Sequence, residues 1–243
     1  MSIAKGATMG ELPGVAAERM DARSEMELRI RRTAIDLFFS QGFSAVGIRQ
    51  IGAGVGIGVP TLYHYVKSKP NLLTSIMIDT LEILLDRLRH SIDGVSDPRE
   101  RLARLTGVLV ATQASSPKTS FVIDNELRAL EEDSSRILIV SLRDEVEKLF
   151  KATLDEGVRE NMFKVDNLVT SRLSIIGLAT STNSWFSGSG KLTLKEVCHD
   201  YMQIALSIVG AHRLSEHYAA ELIGQFPITP FPWEPNSPVA ASS

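Results

Sequence analysis

The chain has 243 residues, 44% of them hydrophobic, and a formal net charge of −3 from 26 basic and 29 acidic residues. That length is enough to bury a substantial core in one or two domains, and the lack of any continuous apolar run of about eighteen residues argues against a membrane-spanning helix. The single cysteine, Cys198, excludes an intramolecular disulfide. An N-terminus with no charged stretch leading into an apolar one predicts a cytoplasmic protein without a signal peptide.

In chain order, residues 1–24 mix glycine, alanine and balanced charges without periodicity, which predicts a flexible arm. Its basic residues Lys5, Arg19 and Arg23 leave a minor-groove contact as the alternative. Leu28, Ile35, Phe38, Phe39 and Phe43 then recur at helical spacing and predict a supporting helix. A second helix fits Ile48 to Val55, closed by Gly56, which supplies a left-handed turn residue, and by Ile57 tucking into the turn. A third starts near Val59 or Pro60, where proline suits a first helical position, and projects Thr61, Tyr63 and His64. Ser68 caps the next helix, with Lys69 in its first turn. This helix-turn-helix pattern is a device for placing side chains in a DNA groove.

The remainder reads as helical, with no convincing strands. Leu72, Leu73, Ile76, Ile83, Leu84 and Leu88 predict a long helix ending near Asp93 and Gly94, and Asp97-Pro98 opens another that runs to Ser115-Ser116-Pro117. Helices follow from about Thr119 to Glu131, from Ser134 or Ser135 to Gly157, from Leu168 to about Phe186, and from Thr193 to about Ile223. Residues 225–243 are proline-rich and cannot continue a helix. They predict a segment lying on the body with Phe231 and Trp233 as anchors, or a docking peptide for another protein. Val197, Tyr201, Ile204 and Ile208 form a stripe wide enough to predict a dimer face.

Charge is unevenly placed. Residues 25–75 carry six basic and three acidic side chains, a net +3, so the rest of the chain holds −6. One basic module on an acidic body is the asymmetry expected when one end meets phosphates. The run GAGVGIG invites a nucleotide-binding reading, but its glycines recur every second residue and follow no strand, which fails the dinucleotide fingerprint.

Through IRRTAIDLFFSQGF, IRQIGAGVGI and TLYHYVKSKPNLL, in that order, the chain resembles the TetR family of bacterial transcriptional regulators. The resemblance implies an all-α fold. An N-terminal helix-turn-helix domain (25–70) would be followed by a larger helical ligand-binding and dimerisation domain (71–224). It implies double-stranded operator DNA as partner, with Arg49, Thr61, Tyr63, His64 and Lys69 as DNA contacts, and a homodimer through the last helix pair that reads a palindromic operator as a repressor. It also implies a small-molecule effector. Met77, Phe121, Trp185 and Phe186 are candidate walls for its pocket. A looser similarity to acyl-CoA-sensing members, in ELRAL and LRDEV, adds Arg128 or Arg143 as cations for a phosphate. Val46, Gly47, Gly52, Gly54 and Gly58 depart from the family pattern. A glycine inside a helix costs roughly 1 kcal/mol against alanine, so the second helix is expected to be weak and to gain from alanine at 52 and 54.

Other classes find less support. The five histidines lack metal-ligand spacing, no nucleophile elbow occurs, and no cofactor is implied. A DNA-binding or scaffold protein without an effector remains the alternative, and an enzyme is the remote one, with Asp124 and Glu126, or Glu131 to Asp133, as its candidate carboxylate pair.

Overall fold

The structure, a computed structural model, describes residues 24–130 and 134–234. The expected N-terminal arm, apart from Ser24, the carboxylates Glu131 to Asp133 and the end of the proline-rich segment lie outside the described residues. Every regular element among the described residues is helical.

The first helix, α1 (Glu25–Gln41), begins with a reciprocal cap: Ser24 accepts from the Glu27 amide and Glu27 accepts from the Ser24 amide, satisfying two donors that a helix start leaves open. It buries Ile30, Ala34, Ile35 and Phe38 against α2 (Ile48–Val55) and its neighbours. Gly56 ends α2 at φ +81°, and the Ile57 amide turns back to the Gly52 carbonyl at 2.9 Å, which makes the sharp turn into α3 (Val59–Tyr65). Ser68 then caps α4 (Lys69–Ile92) through the Asn71 amide.

Two cores result, and α4 belongs to both. Its first half, including Leu72, Leu73, Ile76 and Met77, packs with α1 to α3, whereas Leu84, Leu85 and Leu88 pack into the body. Twenty-four residues give this helix a length of about 36 Å, so one rigid element spans the reader and the body. In the body, α5 (Pro98–Ser115) is buried on nearly all sides among α4, α7 (Ser134–Arg159), α8 (Leu168–Trp185) and α9 (Leu194–Ile208). The short α6 (Pro117–Asn125) and a 3-10 turn (Glu126–Ala129) lie between α5 and α7.

One expectation is corrected. The expected helix from Thr193 to Ile223 is two helices, α9 and α10 (Glu216–Ile223). The chain breaks at Gly210, at φ +62°, where a Cβ would meet the Lys164 carbonyl at 3.0 Å. The segment after Gln225 lies against the folded chain with Phe231 and Trp233 as its anchors, as expected, although both join the reader core and it is Phe226 that joins the body core.

Candidate nucleic-acid interface and effector cleft

The turn at Gly56 sets α3 across α2, with Ile51, Val55 and Leu62 turned inward. Thr61, Tyr63 and His64 consequently face solvent on α3, and Arg49 faces solvent at the start of α2. Lys67, just past α3, is also exposed and was missed as a candidate, although its charge beside the motif was a sufficient signal.

Lys69 has a different place from the expected phosphate contact. Its Nζ donates to the Phe43 and Val46 carbonyls, each at 2.8 Å, and lies 4.1 Å from the Phe43 ring centroid. It therefore fastens the entry to α2 onto the start of α4 through two carbonyls and a cation–π contact. Other reader charges are likewise engaged within the protein. Arg29 donates to the Val55 carbonyl at 3.0 Å, Arg31 pairs with Asp79 at 2.7 Å, and Arg32 donates to the Trp233 carbonyl at 3.3 Å. Of the six basic side chains counted in this module, Arg29, Arg49 and Lys67 are exposed, and because Arg29 is engaged by the Val55 carbonyl, Arg49 and Lys67 are the ones left to meet phosphate.

The expected pocket residues do not converge. Met77 is fully buried in the reader core. Phe121 packs edge-on against Phe39 of α1, with ring centroids 5.2 Å apart, at the junction of reader and body. Trp185 is half exposed and stacks on Tyr201 of α9 at 6.2 Å, with Phe186 beside it, so it lies on the outer face of α8 and α9. Arg128 is exposed on the turn after α6.

A polar group does converge nearby, from four helices. The Asn183 amide of α8 donates to Gln113 Oε1 of α5 at 3.1 Å and to Asp124 Oδ2 of α6 at 2.9 Å. Arg143 of α7 faces Asp124 and donates to the Ile123 carbonyl. Asp124 keeps contact with water yet is crowded by protein, and this desolvation pushes its carboxyl up to about 6 despite Arg143 and Asn183. Burial also lowers the Arg143 pKa. A solvent-reached cluster of a partly desolvated ion pair and two amides is chemically suited to orienting a polar small molecule. Spacing could not reveal this group, because its members lie on separate helices, although Asn183 lies two residues from Trp185.

The outer face of α8 and α9 carries exposed Val169, Leu173, Leu178, Trp185 and Ile204, with Tyr201 and Ile208 partly covered. Val197, expected in this stripe, instead points into the body core at 1% exposure. Contiguous apolar surface of this kind is the mark of a protein interface. Cys198 is buried with its sulfur 3.7 Å from the Gly107 carbonyl, and burial pushes its thiol up to about 12, which suppresses thiolate chemistry. Among the described residues no cluster of histidine, cysteine and acidic side chains could hold a metal ion, and no helix is long and apolar enough to cross a membrane.

Residues 30–76 match the family described as bacterial regulatory proteins, tetR family, and residues 95–209 match the tetracyclin repressor-like C-terminal domain. The chain is 25% identical over 211 residues to the HTH-type transcriptional repressor KstR2 of Mycolicibacterium smegmatis, covering 85% of this chain and 98% of that protein. A tetR-family regulatory protein from Rhodococcus RHA1 superposes with a TM-score of 0.73 at 23% identity, over 78% of this chain and 100% of the other. The regulator AibR, in a structure with isovaleryl coenzyme A and operator DNA, superposes with a TM-score of 0.67 at 19% identity, over 77% and 100% of the two chains.

Proposed function

Because the chain belongs to the TetR family of bacterial transcriptional regulators, we propose that it is a ligand-responsive, homodimeric repressor that reads a palindromic operator with α3. The observation that carries this reading is the display of Thr61, Tyr63 and His64 on α3 above a buried Leu62, flanked by exposed Arg49 and Lys67. Tyr63, Thr61 and His64 reach base edges and sugar, while Arg49 and Lys67 meet phosphates. Two copies joined through the outer faces of α8 and α9 set the readers the roughly 34–36 Å apart that successive major grooves require. A regulator of this kind works in the cytoplasm, where its operator is, and performs no catalysis.

The effector enters the cleft formed by Gln113, Asp124, Arg143 and Asn183. AibR, which shares this fold, is described with an acyl-CoA, and Arg143 and Arg128 are the cations here for a thioester's phosphates, which makes acyl-CoA thioesters the first class to screen. Binding in the cleft shifts α6 and α4 and thereby the reader, so effector and operator affinities are reciprocally coupled. The test is a mobility-shift assay on an operator selected from random DNA, with Tyr63→Ala and an acyl-CoA panel. Tyr63→Ala should bind at least about tenfold more weakly while unfolding at the same temperature, and a thioester that releases operator should lose its effect in Arg143→Ala. Unchanged operator affinity in Tyr63→Ala would remove α3 as the reader. Release that survives Arg143→Ala would move the effector site elsewhere.

A further inference from the structure

The segment from Phe226 to Glu234 crosses from one core to the other. Phe226 lies on Gly107 of α5 so closely that a Cβ there would stand 2.2 Å from its ring. Arg87 of α4 donates to the Thr229 carbonyl at 2.9 Å, and its guanidinium lies 5.2 Å from the Phe231 ring centroid. Phe231 stacks on Trp233 at 5.5 Å, and its amide donates to Ser116 Oγ at 2.8 Å. Trp233 Nε1 donates to Thr119 Oγ1 at 3.1 Å, and the Arg31 guanidinium sits 5.0 Å from the indole. The Trp233 carbonyl holds Arg32 of α1, as described above. Glu234 then accepts from the Lys118 and Thr119 amides at 3.2 and 3.0 Å and from Thr119 Oγ1 at 2.6 Å, capping the first turn of α6.

Through Thr229, Phe231, Trp233 and Glu234 this short segment thus binds α1, α4 and the start of α6 together. The other end of α6 carries Asp124, on the effector cleft. Five to six residues of helix, about 8–9 Å, separate Lys118 and Thr119, where this segment is seated, from Asp124. One buried phenylalanine, one buried tryptophan and a cap held by three donors make a seat specific enough for a mechanical joint. We propose that residues 229–234 form an internal clamp that transmits the state of the effector cleft, through α6, to the DNA-reading module. This proposal rests on the repressor reading for its biological meaning, but the clamp itself is defined without DNA.

The test therefore begins with hydrogen exchange on the full chain and on a chain ending at Ile228. Loss of the clamp should speed exchange in Glu25–Gln41 and Pro117–Asn125 by about tenfold or more while leaving Leu194–Ile208 unchanged, and a synthetic peptide of residues 226–234 added in trans should restore protection. A second arm introduces Arg143→Ala into both chains: exchange in α1 should respond in the clamped chain and several-fold less in the shortened one. If the shortened chain does not fold, the paired Glu234→Gln and Thr119→Val variant of the full chain carries the same comparison. Equal protection of α1 and α6 with and without the clamp, or an equal response to Arg143→Ala in both chains, overturns the proposal. Failure of the full chain to bind any selected operator would overturn the repressor reading alone, since neither exchange arm contains DNA.

Discussion

Changing Gly54 to alanine opposes two effects of known size. In an exposed helix the substitution should stabilise by about 1 kcal/mol. Here the new Cβ would stand 2.7 Å from Thr33 Cγ2 of α1, well inside the roughly 3.5–4.0 Å of an ordinary carbon contact. Thr33 is β-branched on a helix and has little rotamer freedom with which to yield, so the overlap costs about 1–3 kcal/mol as overpacking. The net expectation is a loss of about 0–2 kcal/mol, the reverse of what the sequence suggested. At about 2–4 °C per kcal/mol for a chain of this size, thermal unfolding should fall by up to roughly 8 °C. Thr33→Ala deletes the obstructing methyl, and in that background Gly54→Ala should recover a gain of about 1 kcal/mol. Gly52 has no such remedy, because its Cβ would meet the Ile57 carbonyl at 3.0 Å. A full stabilisation by Gly54→Ala alone, with Thr33 intact, would refute the packing argument.

Operator affinity should fall with salt at a log–log slope near −4, because Arg49 and Lys67 on two readers release about four counterions, and a slope near zero in an anisotropy titration would deny phosphate contact by these groups. The Asp124 carboxyl loses its proton near pH 6 in the folded chain against 3.8 for an ordinary aspartate, so the folded state holds that proton more tightly. Its contribution to stability is full below about pH 4 and is lost as pH rises through 6, and Asp124→Asn should flatten the measured stability across that window. Ile204→Glu and Leu173→Glu should convert a dimer to monomers in sedimentation and weaken operator binding, and an unchanged dimer would place the interface away from α8 and α9. Gly107→Ala should lower unfolding temperature and raise exchange around Phe226, whose ring occupies the space, and wild-type exchange there would contradict the close contact.

The reader was legible because its signals are local: Gly56, Pro60 and Ser68 each act within one turn of where they stand. The body helices were legible wherever one face is apolar. What escaped depends on pairing across the chain. Arg31 and Lys69 have the same composition whether they face phosphate or a carbonyl, and only the fold decides. Trp233 finds its place against Arg32, 201 residues earlier in sequence, and no periodicity encodes that. Because α8 is apolar around much of its circumference, pattern alone could not say that Trp185 faces outward, and Val197 was assigned to the wrong side of α9 for the related reason that its stripe and the core stripe adjoin. The cleft residues Gln113, Asp124, Arg143 and Asn183 come from four helices, so no spacing joins them.

The Lys69 joint has a consequence for how this protein can diversify. It grips α2's entry through the carbonyls of Phe43 and Val46, groups that every residue type supplies, while Ser44 and Ala45 between them stay exposed. Side chains at 44, 45, 49 and along the outer face of α3 are therefore free to change identity without loosening the hold of α4 on the reader. The coupling apparatus and the recognition surface are written in separate residues. One body can be refitted with a new operator preference while its response to effector is kept whole.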